Sequence, residues 1–234
     1  IMLLKKLIKN CPNKLSNIKV KGLSSDTRSL KRGDLFFAFK GSQNNGESFF
    51  DEALKKGACA IISSKKIKDN SKIIKVQNVR KYLGEICSKF FSNKPKNIIA
   101  VTGTNGKSSV ADFFHQILSL NNLPVATIGT IGIKTKNIKK IGLTTPDVIS
   151  LHKELSILKE NKIDNVLLEA SSHGLIQGRL DGINLKAGIF TNLSRDHLDY
   201  HYSMKNYLNA KLILFKKILP ENSYVITDKT ISEF

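Results

Sequence analysis

The chain has 234 residues, enough for one large domain or two small ones, and 41% of them are hydrophobic. No apolar run approaches the length that spans a bilayer, and no cleavable leader follows the N-terminal lysines, so we expect a cytoplasmic protein without membrane insertion. The formal charge of +19 comes almost wholly from scattered lysines; with no zinc finger, aromatic RNA-binding signature or long basic block, it favours small anions such as nucleotides over nucleic acid.

Residues 1–94 predict a small α/β domain. Apolar runs indicate its strands, and apolar spacings of three and four indicate its helices. The strands are expected at residues 34–39, 59–62 and 73–76, and the helices at residues 47–56 and 79–90. The polar segment around Pro95 interrupts the last helix, and we interpret it as the linker to a second domain at residues 95–234.

The second domain opens with an apolar run that passes directly into a glycine-bracketed turn at residues 102–109. Gly103 and Gly106 permit the backbone N–H groups to converge on an anion at the start of the next helix. Lys107 would reach the outer phosphates of a nucleotide, and Ser108 would offer its hydroxyl to Mg²⁺. The turn is shorter than the strict Walker pattern, so an ordinary strand-to-helix turn is the alternative.

Short apolar strands then alternate with helices, which predicts a parallel sheet covered on both faces. The strands are expected at residues 98–101, 125–128, 166–168, 187–190 and 224–226, a surface hairpin at 129–143, and helices at 107–120, 146–158 and 203–218. Thr145 is expected to cap the middle helix, with Pro146 at its first position. Because the chain ends just after a strand, we expect it to be a fragment.

Two further polar clusters follow strands, and ligands bind beyond the carboxyl ends of parallel strands. Glu169 directly follows one strand and is expected to hold a hard cation; the alternative is a carboxylate that accepts from the loop's own N–H groups. Residues 191–201 include two histidines and two aspartates within six residues, which suit a metal or proton transfer. No third His or Cys accompanies them at a recognised spacing, so Mg²⁺ is favoured over zinc.

Six stretches, in order along nearly the whole chain, resemble the Mur ligases. They are Ser-Asp-Thr-Arg at 25–28, Gly-Asp-Leu-Phe at 33–36, the loop at 101–109, Thr-Thr-Pro-Asp at 144–147, Leu-Glu-Ala-Ser-Ser-His-Gly-Leu at 168–175, and Phe-Thr-Asn-Leu-Ser-Arg-Asp-His-Leu-Asp-Tyr-His at 190–201 followed by Ala-Lys at 210–211. The last two stretches resemble the MurE branch, the UDP-N-acetylmuramoyl-L-alanyl-D-glutamate:amino-acid ligases of peptidoglycan synthesis. The resemblance implies a small N-terminal α/β domain followed by an incomplete, phosphate-loop ATPase domain with a mostly parallel sheet.

The resemblance also implies which residues bind ATP, Mg²⁺ and the sugar nucleotide. ATP is expected at Gly103, Thr104, Asn105, Gly106, Lys107, Ser108 and Ser109. Mg²⁺ is expected at Ser108, Glu169, His197 and Lys211, the last as a carbamate, and the catalytic residues are Lys107, His197 and Lys211. The uridine end of the substrate is expected at Ser25, Thr27, Ser42, Gln43 and Asn44, and the muramoyl-dipeptide end at Thr144, Thr145, Ser171, Gln177 and Arg179.

The implied reaction is ATP-dependent amide formation. The D-glutamyl carboxylate of UDP-N-acetylmuramoyl-L-alanyl-D-glutamate is phosphorylated to an acyl phosphate, and the amine of an amino acid displaces the phosphate. We expect a monomer that serves cell-wall biogenesis, and through it cell shape and division. The family's third domain, which selects the amino acid, has no counterpart here, so meso-diaminopimelate, lysine and other residues stay open. The alternative is a two-domain protein that holds nucleotides without catalysis, and a stop codon directly after Phe234 would favour it.

Overall fold

The computed structural model describes residues 1–39, 46–65, 71–136, 138–139 and 143–228. It divides into two compact units, Ile1–Phe90 and Phe91–Phe234. Three residues predicted to bind the uridine end of a substrate, Ser42, Gln43 and Asn44, lie outside the described residues. No helix in these ranges is both long and apolar enough to cross a membrane.

The first unit is built on a four-stranded parallel sheet in the order β3-β4-β5-β6, with a separate antiparallel pair, β1 and β2. Its elements are β1 (Met2–Leu3), α1 (Leu4–Leu7), β2 (Lys19–Val20), β3 (Gly22–Ser24), β4 (Asp34–Ala38), α2 (Phe50–Lys55), β5 (Ala60–Ser63), β6 (Ile73–Lys75) and α3 (Val79–Phe90), with 3₁₀ turns at Asn13–Leu15 and Gly46–Phe49. The first predicted helix therefore begins as a 3₁₀ turn. β3 was not predicted, since its sequence, Gly-Leu-Ser, contains no apolar run.

The second unit is built on a seven-stranded sheet in the order β10-β9-β8-β11-β7-β12-β13. Its elements are β7 (Asn97–Thr102), α4 (Lys107–Leu120), β8 (Val125–Gly129), β9 (Gly132–Lys134), β10 (Ile138–Lys139), α5 (Val148–Glu160), β11 (Asn165–Glu169), α6 (Ser172–Ile176), β12 (Ala187–Phe190), α7 (Leu198–His201), α8 (Met204–Ile213), a π-helical turn (Leu214–Ile218) and β13 (Tyr224–Thr227). Strands β8, β11, β7, β12 and β13 are parallel, and β9 and β10 extend one edge as an antiparallel hairpin. The predicted α/β class with a mostly parallel sheet is confirmed.

The core of the second unit lies mainly on one face of the sheet, where α5 packs. Leu151, Leu155 and Leu158 of α5 are buried against strand residues such as Val166. Each such leucine contributes about 1.5–3 kcal/mol by leaving water. On α4, Ala111 is buried with Val101 and Leu167, whereas Phe113 and Ile117, part of the predicted apolar face, are exposed.

The predicted cap of α5 is wrong. Asp147 caps the helix, because its Oδ1 accepts from the N–H groups of Ile149 and Ser150, both at 3.1 Å. A carboxylate accepts these bonds and also complements the positive end of the helix. Thr145 is left for other partners: its hydroxyl donates to the Glu169 carbonyl at 2.8 Å. The short helix α6 was not predicted, since its five residues carry no helical period.

Candidate nucleotide-binding site

The turn between β7 and α4 has the geometry of a phosphate-binding loop. Gly103 and Gly106 have φ values of 145° and 83°, which favour glycine. A Cβ on Gly103 would collide with the Thr191 hydroxyl, so the close approach of this loop to the segment after β12 also requires glycine. Among the described side chains none caps α4, and the N–H groups of its first turn are open to an anion.

Two of the loop's backbone N–H groups are already used. The Thr104 N–H donates to the Asn192 carbonyl at 2.9 Å, and the Asn105 N–H donates to the Asn192 side-chain oxygen at 2.9 Å. The Thr191 hydroxyl in turn donates to the Asn105 carbonyl at 2.6 Å. The segment after β12 therefore holds the loop in shape, and the N–H groups that are left open to an anion belong to the start of α4.

Two lysines converge on one carbonyl of this loop. Lys107 Nζ donates to the carbonyls of Gly103 at 2.9 Å and Thr104 at 2.8 Å, and Lys211 Nζ donates to the same Gly103 carbonyl at 2.7 Å. Lys211 is 1% exposed, and its Nζ lies 4.2 Å from the centroid of the Tyr207 ring. The loop is thus hydrogen-bonded by one lysine from α4 and by one from α8.

The two lysines are not ordinary ammonium groups. Burial lowers the pKa of Lys107, and the negative charges of Glu169 and Asp196 oppose this shift. Burial, with the positive charge of Lys107, lowers the pKa of Lys211 to about 7. At neutral pH a large share of Lys211 is therefore a neutral amine, which has the lone pair that a nucleophile needs.

Glu169 is held firmly at the carboxyl end of β11, where it is 3% exposed. Its Oε2 accepts from the hydroxyls of Ser108 and Thr130, both at 3.0 Å, and its Oε1 accepts from the Thr130 N–H at 3.2 Å. Gly129 makes room for the carboxylate, because a Cβ there would collide with it. The N–H group that binds Glu169 therefore belongs to the turn after β8 and not to the phosphate loop.

The residues predicted for the muramoyl-dipeptide end lie together beside Glu169. The hydroxyls of Thr145 and Ser171 are 3.1 Å apart, and the Ser171 N–H donates to the Thr145 hydroxyl at 3.1 Å. Arg179 Nη1 donates to the Thr145 carbonyl at 2.6 Å, and Arg179 Nη2 donates to the Gln177 side-chain oxygen at 2.6 Å. Burial lowers the pKa of Arg179, opposed by Asp147, although a guanidinium stays charged. Hydroxyls and one guanidinium suit a carboxylate-bearing ligand.

The histidines of the second polar cluster stack with tyrosines. The His173 ring centroid is 4.1 Å from that of Tyr200 and 5.1 Å from that of His197. His201 is 3% exposed, and its Nε2 lies 3.0 Å from the Ser172 hydroxyl. Burial, and then the neighbouring imidazoles, lower the pKa values of His173 and His201, which favours the neutral form of both rings. This packing joins α7 to α6.

Two of the four predicted Mg²⁺ ligands come together. Among the described residues no three or more His, Cys, Asp and Glu side chains form a metal-binding group. Mg²⁺ keeps several waters and binds one or two protein carboxylates, so the adjoining oxygens of Ser108 and Glu169 fit it. The His197 ring instead contacts Asp196, His173 and Tyr207. The roles of His197 and Lys211 as ligands stay predictions.

Residues 101–234 match the Mur ligase middle domain, and residues 19–91 match the Mur ligase family catalytic domain. The chain belongs to the Mur ligase family. A UDP-N-acetylmuramoyl-L-alanyl-D-glutamate--2,6-diaminopimelate ligase of Rickettsia bellii (strain RML369-C) is 43% identical over 219 residues, 92% of this chain and 45% of the relative. The ligase of the same name from Bradyrhizobium diazoefficiens is 45% identical over 206 residues, 87% of this chain and 42% of the relative. The chain thus spans a little under half the length of the curated relatives it matches.

Solved structures agree with this membership. A UDP-N-acetylmuramoyl-L-alanyl-D-glutamate--2,6-diaminopimelate ligase superposes with a TM-score of 0.82 at 30% identity, covering 98% of this chain and 47% of its own. A Thermotoga maritima MurF ligase in complex with ADP has a TM-score of 0.63 at 23% identity, covering 90% of this chain and 46% of its own, and shares the fold. The predicted membership of the Mur ligases, with MurE-type relatives, is confirmed.

In the first unit of this Mur ligase chain, two predicted uridine-binding residues lie in one loop. Ser25 is exposed, and Thr27 is 7% exposed. Asp26, between these two residues, forms an ion pair with Arg28, with 2.6 Å between the carboxylate oxygen and the guanidinium nitrogen. The hydrogen bonds from the Arg28 side chain lower the pKa of Asp26. Lys56 Nζ donates to the Thr27 carbonyl at 2.9 Å. The loop is thereby shaped, while its role in uridine binding stays a prediction.

We predicted no role from the sequence for Thr130, Thr191 or Asn192 of this Mur ligase site, although the last two lie in the polar cluster at residues 191–201. Thr130 donates to Glu169, which lies 39 residues later in the sequence. Asn192 accepts from Asn105 of the phosphate loop, 87 residues earlier in the sequence. Single hydroxyl and amide side chains in turns carry no pattern of their own. The available signal was their position: each lies within two residues of the end of a predicted parallel strand, at the sheet edge where ligands bind.

Proposed function

We propose that this chain is part of an ATP-dependent ligase that joins an amino acid to UDP-N-acetylmuramoyl-L-alanyl-D-glutamate through an acyl phosphate. The observation that carries the proposal is the phosphate loop with Lys107, Ser108 and Glu169 at one sheet edge, in a chain 40–45% identical to diaminopimelate ligases. The carboxylate and ATP are both anions, so the reaction needs a site that neutralises charge.

The start of α4 would bind the phosphates of ATP. Its open N–H groups and its helix dipole favour an anion, and Lys107 would leave the two loop carbonyls to reach the outer phosphates. Mg²⁺, when bound at Ser108 and Glu169, would neutralise charge on the phosphates. The backbone and side chains of Gly103, Thr104, Asn105, Gly106 and Ser109 complete the proposed ATP site.

The sugar nucleotide would place its dipeptide against Thr144, Thr145, Ser171, Gln177 and Arg179. Arg179 is fixed by the Thr145 carbonyl and by Gln177, so its planar donors are already oriented before a carboxylate arrives. Thr145 also bonds the carbonyl of Glu169, which brings the acceptor side next to the nucleotide side. We propose residues 1–94, which include the first unit, as the domain that binds the uridine end.

Lys211 would act as a carbamate. Its neutral amine adds to CO₂ and loses a proton, and the resulting anion lies beside the positive charge of Lys107. The same charge that disfavours an ammonium at this position favours an anion. Near the phosphate loop a carbamate could help to hold metal ions, together with His197.

The amine, the cellular location and the assembly are part of the same proposal. The relatives are named for 2,6-diaminopimelate, which is therefore the amine to test first, with lysine as the competitor. We propose a monomer in the cytoplasm, where it would supply precursors for cell-wall biogenesis and so for cell shape and division.

The test is ligation by the intact protein. UDP-N-acetylmuramoyl-L-alanyl-D-glutamate, ATP and Mg²⁺ are incubated with meso-diaminopimelate or with lysine, and products are identified by mass spectrometry. We expect one ADP for each tripeptide formed, with diaminopimelate preferred. ADP release that does not depend on the sugar nucleotide would refute the proposal. The absence of ADP release with every amino acid tested would also refute it.

A further inference from the structure

Thr130 lies in the turn between β8 and β9 and contacts both halves of the site. Its N–H donates to Glu169 Oε1 at 3.2 Å, and its hydroxyl donates to Glu169 Oε2 at 3.0 Å. The same hydroxyl lies 3.2 Å from the Thr144 hydroxyl, toward which it can also donate. None of the motifs in the sequence includes this residue.

The two partners of Thr130 have different proposed tasks. Glu169 also accepts from Ser108 of the phosphate loop and so belongs to the nucleotide side. Thr144 precedes Thr145, which contacts Ser171 and Arg179, and so belongs to the acceptor side. A hydroxyl has a single proton, so Thr130 can fully satisfy only one of its two acceptors at a time. A change in position of either partner therefore alters the bond to the other.

We propose that Thr130 is a positioning residue that couples the nucleotide side to the acceptor side of the site, an inference that rests on the proposed ligase function. Its N–H and hydroxyl orient the Glu169 carboxylate, which Gly129 admits beside β8. Through Thr144 the same hydroxyl sets the acceptor side at a fixed place relative to that carboxylate. Such alignment lowers the barrier when two anions must be brought into line.

Thr130→Val in the intact ligase removes the hydroxyl and keeps the shape and the backbone N–H. We expect kcat/KM for the sugar nucleotide to fall about tenfold or more, because a hydrogen bond to a charged group is lost. Thr130→Ser keeps the hydroxyl and should recover most of this loss. Equal loss in both variants would show that keeping the hydroxyl gives no advantage and would overturn the inference.

A double-mutant cycle with Thr144→Val separates coupling from local damage. If Thr130 acts through Thr144, the fold-decrease in kcat/KM of the double variant should be no more than about twice that of Thr130→Val alone. Independent roles would multiply the two losses, giving about a hundredfold if each is tenfold, and this result would overturn the inference.

The outcomes also separate this inference from the proposed function. A wild-type protein that makes no tripeptide refutes the ligase function itself. An active wild type with a fully active Thr130→Val refutes only the role of Thr130. Thermal unfolding of each variant checks its fold. If the valine variant does not fold, Thr130→Ala and Thr130→Ser give the same comparison, since position 130 is exposed and tolerates a smaller side chain.

Discussion

Lys211 should react with CO₂ at neutral pH where ordinary lysines do not. Its pKa is lowered from 10.5 to about 7, by burial and by the charge of Lys107. At pH 7 about half of Lys211 is then the neutral amine, compared with about 0.03% of a lysine with an unshifted pKa, a ratio of about 10³. The buried position also limits competing modification by large reagents.

The assay is ¹³C NMR of the intact protein in ¹³C-labelled bicarbonate at fixed CO₂ pressure. Beside any signal from the N-terminal amine, we expect a carbamate signal that grows as the pH rises from about 6 to 8 and that is missing in Lys211→Ala. Lys107→Met should weaken the signal, because the loss of its positive charge raises the pKa of Lys211 and destabilises the carbamate anion. Lys211→Ala should also lose activity and regain part of it with added short-chain carboxylates.

No Lys211-dependent signal between pH 7 and 8 would refute the reasoning about burial and charge. Full activity of Lys211→Ala in bicarbonate-free buffer would refute the proposed role of the carbamate in the reaction.

Three further changes test other parts of the site and fold. Lys107→Ala should lower the ATP-dependent rate by about 10²–10³-fold, since a hydrogen-bond donor to the developing negative charge is lost. The rate is measured in a coupled ADP assay, and near-normal turnover of the variant would exclude Lys107 from the mechanism. Arg179→Lys should weaken calorimetric binding of the UDP-muramoyl-dipeptide with little change for ATP, because a lysine cannot reproduce the planar fork; equal losses for both ligands would indicate misfolding. His152 is fully buried, its Nε2 bonds the Asp181 carbonyl at 2.9 Å, and burial lowers its pKa from 6.5 to about 4. The unfolded chain therefore binds an extra proton between these values, and about 3 kcal/mol of stability should be lost as the pH falls from 6.5 through 4. Urea unfolding should show this slope and show it flattened in His152→Gln; an unchanged slope would contradict the assignment.

The phosphate loop and the succession of strands and helices along the chain could be predicted because their signals are local. Two glycines before Lys107 and Ser108, between an apolar run and a helix, specify both backbone geometry and charge. The placement of Glu169 at the sheet edge followed from its position after an apolar strand. These inferences needed only neighbours in sequence and the rule that parallel strands share a carboxyl edge.

The contacts that orient those groups could not be predicted, since they depend on which strands are adjacent. β8 lies beside β11, and only this order places Gly129 and Thr130 against Glu169. Lys211 lies 108 residues from Gly103 in the sequence. The family resemblance singled it out, but no local pattern in a lysine-rich sequence shows that it is buried beside the loop. The predicted cap of α5 was wrong because Thr145 and Asp147, on either side of Pro146, could both cap the helix, and the Thr145 hydroxyl is bonded to tertiary partners.

The central claim is that a D-glutamyl carboxylate attacks ATP to form an acyl phosphate. It is tested most directly by labelling that carboxylate of the sugar nucleotide with ¹⁸O and measuring the label in the phosphate released by the intact protein. The attacking oxygen becomes the bridge to phosphorus and leaves with phosphate when the amine forms the amide. The account predicts one ¹⁸O in each phosphate for each tripeptide formed. Tripeptide formed with unlabelled phosphate would contradict it.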